Sequence, residues 1–204
     1  MIVVGITGAS GSILGIRLIE ELLNNGERVS CVISDTAIKI LSHELSIPQK
    51  ENFSLKEVIK NRSIARDLNL FTQFDNNNFF SPIASGSTIF ESLIIIPCSM
   101  KTLSSIAHGY ASSLITRVAD VAIKEKRKCI IVPRETPLSM IHIENMYKVA
   151  TAGVIIAPPM LTFYNFPKSM DDNINFMVGK ILNLLGKKHS LFKSWEEITN
   201  EKFH

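Results

Sequence analysis

With 204 residues, 46% of them hydrophobic and 20% charged, the chain is long enough to bury a sizeable core and too apolar to be disordered. A formal charge of +3 is too small to point to nucleic acid, and the apolar start is too short, and too interrupted by glycine, for a membrane span or a signal segment. Cys31, Cys98 and Cys129 show no C-x-x-C pairing and the five histidines no ligand spacing, so the sequence predicts no metal site and a reducing compartment, the cytoplasm.

Ile2, Val3, Val4 and Ile6 form a short apolar run that meets a glycine and serine turn. After it Ile13, Leu14, Leu18, Ile19, Leu22 and Leu23 repeat at helical spacing, which predicts strand, tight loop and helix. Gly5, Gly8 and Gly11 let the backbone approach a ligand closely, and the free amides of the helix start suit an anion. Neither a Gly-Lys-Ser/Thr triphosphate loop nor the G-x-G-x-x-G dinucleotide pattern is met. The expected ligand is a mononucleotide or phosphate monoester, held by amides and by the hydroxyls of Thr7, Ser10 and Ser12. A plain strand-to-helix turn is the alternative.

Asn25-Gly26 stops that helix, and Arg28 to Ser34 alternates like a second strand. Asp35 or Thr36 is the expected cap of a helix over 37–45, with Ile38, Ile40 and Leu41 facing inward. Glu44 sits near the end of that helix, where the dipole disfavours a carboxylate; the choices are an exposed side chain or one with a task. Residues 47–80 read as an excursion between the second and third parallel strands, with a helix from Leu55 to Lys60 and a turn at Asn76 to Asn78. In the loop from Ser81 to Ser87, Ser85, Gly86 and Ser87 either offer amides and hydroxyls to a second anion or make a simple turn.

Ser92 to Ile96 reads as a buried strand stopped by Pro97, with Ser99 capping a helix that begins near Lys101. A helix over 113–126 carries Arg117, Asp120 and Lys124, and ion pairs from Asp120 to both cations are its structural explanation. The KEKRK run at 124–128 is expected to be a solvated helix end. A strand from Cys129 to Val132 enters a loop in which Pro133 and Pro137 hold Arg134 and Glu135 at the ligand edge. A helix over 140–151, a strand over 154–157, an aromatic segment at 163–167 and a helix capped by Asp171 and ended by Gly186 complete one domain over 1–186. The tail, 187–204, holds the lone Trp195. The alternation of strands and helices predicts an α/β fold, a doubly wound parallel sheet of the flavodoxin-like or Rossmann-like kind.

Six segments together carry a family likeness: GITGASGS near the start, IASGS at 83–87, PCSMKTL at 97–103, RVADVAIKEKR at 117–127, VPRETPLSMIHIENM at 132–146 and FYNFPKSMDD at 163–172. They resemble the UbiX-type flavin prenyltransferases from about Ile2 to Leu185. The resemblance implies transfer of a dimethylallyl group from dimethylallyl monophosphate to N5 and C6 of reduced FMN, without a metal. The product, prenylated FMN, serves UbiD-type decarboxylases. It implies that Gly8, Ala9, Ser10, Ser34, Ser99, Met100, Lys101, Thr102 and Arg134 hold the flavin, and that Tyr164 and Lys180 hold the prenyl phosphate. Ser10, Glu44, Lys124 and Glu135 match catalytic positions, and Arg117 matches a basic residue near the site. A large homo-oligomer, a dodecamer, with sites between subunits is also implied, so that the loop holding Ser85 and Gly86 serves a neighbouring chain.

The chemistry of these residues suits that assignment. Breaking an allylic carbon to phosphate bond leaves a phosphate beside an allyl cation. Cations and a tyrosine hydroxyl stabilise the first, and the faces of Phe79 and Tyr164 the second. Closing the ring onto C6 releases a proton, for which Glu135 is the candidate base, with Ser10 near N5 and Glu44 and Lys124 as a paired relay or gate. Many family members carry arginine at the position of Lys180, and lysine offers a point charge in place of a fork. Two other readings predict different residues. An FMN-dependent cysteine decarboxylase needs a histidine just after the first helix and a PxMNxxMW loop in place of PCSMKTL; a non-catalytic flavin-binding subunit would lose Glu135 and Lys124.

Overall fold

The computed structural model describes residues 1–48 and 53–203, so the part of the 47–80 excursion at 49–52 lies outside the described residues. In chain order the elements are β1 (Ile2–Ile6), α1 (Ser12–Asn24), β2 (Val29–Ile33), α2 (Asp35–Glu44), α3 (Leu55–Arg62) and β3 (Phe71–Asp75). There follow β4 (Ser92–Cys98), α4 (Met100–Ala107), α5 (Leu114–Lys124), β5 (Lys128–Pro133), α6 (Met140–Thr151), β6 (Ile155–Ile156), α7 (Met170–Leu184) and α8 (Trp195–Phe203). All strands pair in parallel in the order β3-β2-β1-β4-β5-β6. The chain thus winds outward in one direction from β1 and then, through β4, in the other, and the carboxyl ends of β1 and β4 frame the switch point where such sheets bind ligands.

The side-chain period of two along each strand feeds two cores. Ile2, Val4, Ile6, Ile94, Ile96, Ile130 and Val132 face α1, α2, α3 and α7. Val3, Val32, Leu93, Ile95, Cys129 and Ile131 face α4, α5 and the Val149 side of α6. Helix α1 lies so close over β1 and β4 that a Cβ on Gly15 would stand 2.5 Å from the Ile96 carbonyl and 2.9 Å from Ile6. Only glycine permits that approach. Buried Glu20 of α1 ties α3 down, accepting from Arg62 Nε at 2.6 Å with Arg17 Nε at 3.5 Å.

Several local expectations need correction. The 47–80 excursion contains a sheet strand, β3, which escaped notice because FTQFD is short and only Phe71 of it is buried. Val29–Ile33 does not alternate; all five residues are buried, as a strand covered on both faces requires. Ser34, not Asp35 or Thr36, caps α2, its hydroxyl accepting from the Ala37 amide, and within α2 Ala37 and Leu41 are buried while Ile40 is not. Pro97 does not stop β4, which runs on to Cys98, because the prolyl carbonyl still accepts from the Thr7 amide and hydroxyl. Ser169, in a reciprocal box with Asp172, caps α7 in place of Asp171. In the tail, Phe192 seats against Gly179, where a Cβ would meet its ring at 2.5 Å, and α8 follows.

The basic run is less solvated than expected. Arg127 is half-buried, with its guanidinium 4.3 Å above the Phe90 ring, while Lys124 pairs with Glu125 at 2.7 Å and Asp120 pairs with Arg117 at 2.6 Å.

Candidate active site

Each strand that ends at the switch point hands its chain to a serine or threonine that caps something. Thr7, after β1, donates its hydroxyl to the Pro97 carbonyl and accepts from the Ser99 amide at 2.8 Å, stitching the two central strand ends together. Ser34 caps α2, Ser99 caps α4 and Ser113 caps α5. These N-termini converge on a cleft of about 320 Å³ lined by Thr7, Gly8, Ser34, Ser99, Lys101 and Thr102 on one side and Asn76, Ser113 and Thr116 on the other. Several helix N-termini aimed at one polar hollow make a site for an anion with hydroxyls attached. The phosphate and ribityl chain of FMN fit this donor set.

The sequence did not single out Asn76, Ser113 or Thr116 as ligand residues. Asn76 holds the start of α5 through its carbonyl and side chain, which accept from the Leu114 and Ile115 amides. The missing signal was β3, since an asparagine turn at a strand's carboxyl end would have joined the other strand ends. Ala9 is buried in the first loop, and Gly8 comes so close to Thr36 that a Cβ would stand 2.6 Å from its methyl. Met100, the first residue of α4, is half-buried beside Lys101.

The amides at the start of α1 are already engaged. Gly11 takes φ +95°, has no capping side chain of its own, and with Ser12 donates its amide to the Glu44 carboxylate at 2.8 and 3.0 Å. Glu44 is therefore the cap of a helix distant in sequence, and the anion expected on this helix start is a side chain. Burial raises its pKa, but the Ser10 hydroxyl and the two amides outweigh that and hold it below the usual carboxylate range. Because the folded value is depressed, the stabilisation is present above the unfolded value of about 4.3 and lost as pH falls through the folded one. Glu44→Gln is expected to cost about 1 kcal/mol at neutral pH, as loss of a helix cap does. The gap in Tm between the two proteins should close as the pH falls below that of free glutamate; a constant gap would contradict the capping role.

A second hollow, about 410 Å³ and mostly apolar, opens between α1, the ends of β4 and β5, and α7, lined by Leu14, Ile96, Val132, Pro158, Phe176 and Lys180 among others. Among the described residues that line it, Lys180 is the one charged group. Tyr164 meets Phe176 edge-on with centroids 5.7 Å apart, so Tyr164 and Lys180 share a neighbour; its other face meets Trp195 of the tail at 5.3 Å. Phe79 is half-exposed beyond the asparagine turn.

Arg134 donates its amide to the Cys98 carbonyl, which fixes the Pro133–Ser139 loop beside the start of α4. Both its side chain and that of Glu135 are exposed, and among the described residues the Glu135 carboxylate accepts only from the Thr136 amide next door, at 3.0 Å. The remaining predicted residues lie elsewhere in the protomer. Arg117 donates Nε to the Ala84 carbonyl, and Gly86 lies under Lys124 and Glu125, so close that a Cβ there would come 3.1 Å from Lys124 Nζ. Helix α5 starts at the polar cleft, and its 11 residues carry Lys124 about 16 Å away from it. One protomer thus joins Ser10 to Glu44, and groups Ser85 and Gly86 with Arg117 and Lys124, but does not bring these two sets together.

The three thiols take no part. All are free and buried, and burial raises each pKa, that of Cys129 to about 12. Among the described residues no group of three histidine, cysteine or acidic side chains stands together, and no helix is long and apolar enough to cross a membrane.

The Flavoprotein family profile matches residues 1–183. The flavin prenyltransferase UbiX of Methanocaldococcus jannaschii is 48% identical over 95% of this chain and 97% of its own. Two solved structures superpose with a TM-score of 0.83: a dodecameric FMN-dependent UbiX-like decarboxylase from Escherichia coli O157:H7, 37% identical over 95% of this chain and 98% of that one. The other is AnUbiX in complex with FMN and dimethylallyl pyrophosphate, 36% identical over 95% of this chain and 96% of that one. With likeness of this extent in sequence and in fold, the chain belongs to the UbiX-type flavin prenyltransferases of the Flavoprotein family.

Proposed function

We propose that this flavin prenyltransferase joins the dimethylallyl group of dimethylallyl monophosphate to N5 and C6 of reduced FMN, and that its product serves a UbiD-type decarboxylase. The observation that carries the reading is the pair of hollows that reach the carboxyl ends of the central strands, one at Thr7 and Ser99, the other at Ile96 and Val132. One is polar and built of helix N-termini; the other is apolar with one lysine on its wall. A flavin nucleotide and a short prenyl phosphate are a pair of ligands of those two chemistries.

The reduced flavin supplies the nucleophilic ring atoms. Ser34, Ser99, Met100, Lys101 and Thr102 hold its phosphate and ribityl chain, Gly8 and Ala9 let the ring approach, and Arg134 closes over its edge. Ser10, set by its bond to Glu44, orients the N5 side. Tyr164 and Lys180 hold the prenyl phosphate from one chain. Ser85, Gly86, Arg117 and Lys124 reach it from a neighbour, since α5 carries Lys124 away from its own cleft. Phosphate departure is assisted by the charged donors Lys180, Arg117 and Lys124, each worth on the order of 100-fold or more when preorganised, while Ser85 and Gly86 hold the phosphate equally before and during its departure. Glu135, exposed and with no cation paired to it among the described residues, takes the proton released on ring closure. A homododecamer with sites between subunits, in a reducing cytoplasm that keeps three thiols free, completes the reading.

Anaerobic incubation with reduced FMN and dimethylallyl monophosphate, with a chelator present, followed by mass spectrometry of the flavin, tests it. A flavin heavier by one isoprene unit is the expected result. Unchanged but bound FMN would favour a flavin carrier, and consumption of a thiol-bearing carboxylate would favour the cysteine decarboxylase reading.

A further inference from the structure

The Ala84–Thr88 segment has three of its carbonyls drawn toward arginines of one stretch of chain. Arg117 Nε donates to the Ala84 carbonyl at 3.1 Å, while Arg127 Nη2 donates to the Gly86 carbonyl at 2.6 Å and Nη1 to that of Thr88 at 2.7 Å. Phe90, which is 2% exposed, supplies the ring under the Arg127 guanidinium. The segment is a turn closed by the Thr88 amide on the Ser85 carbonyl. Its hydroxyls are coupled, Ser85 Oγ lying 2.8 Å from Ser87 Oγ and accepting from the Ser87 amide. With its carbonyls held by arginine, the turn leaves the Gly86 amide without an acceptor among the described residues, beside Lys124 Nζ and Glu125. Carbonyls held by arginine and an amide turned toward an ammonium suit a phosphate, which would take the place of the Glu125 carboxylate now paired with Lys124 Nζ at 2.7 Å.

We propose that Arg127 is a positioning residue for prenyl phosphate binding: it touches no substrate, and sets the Ser85–Thr88 turn so that Ser85, Gly86 and Lys124 meet the phosphate together. The proposal rests on the reading of that turn as a phosphate site. A planar guanidinium forks across two carbonyls and stacks on Phe90 at once; a lysine would keep the charge but reach one carbonyl and lose the stacking. The turn holds the phosphate before and during the reaction, so its displacement weakens both states alike and appears in KM.

The test compares Arg127→Lys with Lys124→Gln and with the double variant, in the assembled protein. Arg127→Lys is expected to raise KM for dimethylallyl monophosphate about tenfold, with kcat within about twofold and the Kd for FMN unchanged, since neither the turn nor Arg127 lines the polar cleft that takes the flavin phosphate. On the Lys124→Gln background it should add less than about twofold, because the two act on one phosphate. Inorganic phosphate, as a competitive inhibitor, should lose affinity in parallel, a readout that loss of general stability would not move. If Lys124→Gln raises KM and Arg127→Lys does not, the positioning role is overturned and the phosphate site stands. If neither raises it, the reading of the turn as a phosphate site falls and takes the proposal with it. A fall in oligomer mass for Arg127→Lys at working concentration would assign Arg127 to assembly, and equal increases in both backgrounds would place its effect elsewhere; either result overturns the proposal.

Discussion

Replacing Glu135 by glutamine is expected to lower kcat for flavin prenylation by about 10²- to 10⁴-fold, the range for removing a positioned general base. The loop is built for placement: Pro133 ends β5, Pro137 follows two residues after Glu135, and the Arg134 amide is fixed to the Cys98 carbonyl. Within it the carboxylate has, among the described residues, one local partner, the Thr136 amide, and no cation, so an oxygen is open to a proton. Glutamine keeps the size and can still accept from that amide, but it cannot take up the proton. The Kd for FMN should stay within about twofold, because the phosphate cleft is formed by other strand ends. Single-turnover kinetics under anaerobic conditions, with the flavin weighed by mass spectrometry, would check both numbers. A kcat within threefold of the parent would remove Glu135 as the base and leave the departing phosphate as the proton acceptor.

Mixing two strongly impaired variants should restore activity. Lys124 stands about 16 Å along α5 from the cleft that α5 caps, whereas Glu135 leaves β5 on the carboxyl edge of the same sheet. If one site takes Lys124 from one subunit and Glu135 from another, random co-assembly of Lys124→Gln with Glu135→Gln chains leaves about a quarter of the sites with both native residues. Co-expressed, purified mixed oligomers should then show about a quarter of the parent kcat, far above either variant alone. If both residues served a site from the same chain, no arrangement of the mixture would contain an intact site. Activity no higher than the variants' own would therefore show that subunits do not share the site.

The apolar faces left open on the protomer are consistent with such sharing. Met140, Ile141, Ile143 and Tyr147 are exposed along α6, which buries only Asn145 and Val149 toward its own sheet. Phe80 and Ile89, flanking the Ser85–Gly86 turn, are almost wholly exposed. Contiguous apolar surface of this kind marks contact with another protein, and the E. coli structural neighbour is a dodecamer.

What could be read in advance follows from the range of the forces involved. Apolar runs at period two or at helical spacing, and glycine or serine at their ends, are local signals, and they located β1, α1, β4, α6 and the cap Ser99. The central strands were legible because a strand covered on both faces is written as an unbroken hydrophobic run. Edge strand β3 was not, since an edge needs only one buried residue, Phe71, and FTQFD then reads as loop. The sequence by itself determined the fold class, the central strands and, through six distinct segments, the family. Only the tertiary structure decided that Glu44 caps α1, 33 residues from Gly11, that Arg127 clamps Gly86 and Thr88 instead of facing solvent, and that Tyr164 meets Trp195 of the tail. Those pairings join groups whose partners lie tens of residues away, and no periodicity encodes a contact that exists only once the sheet has brought its loops to a common edge.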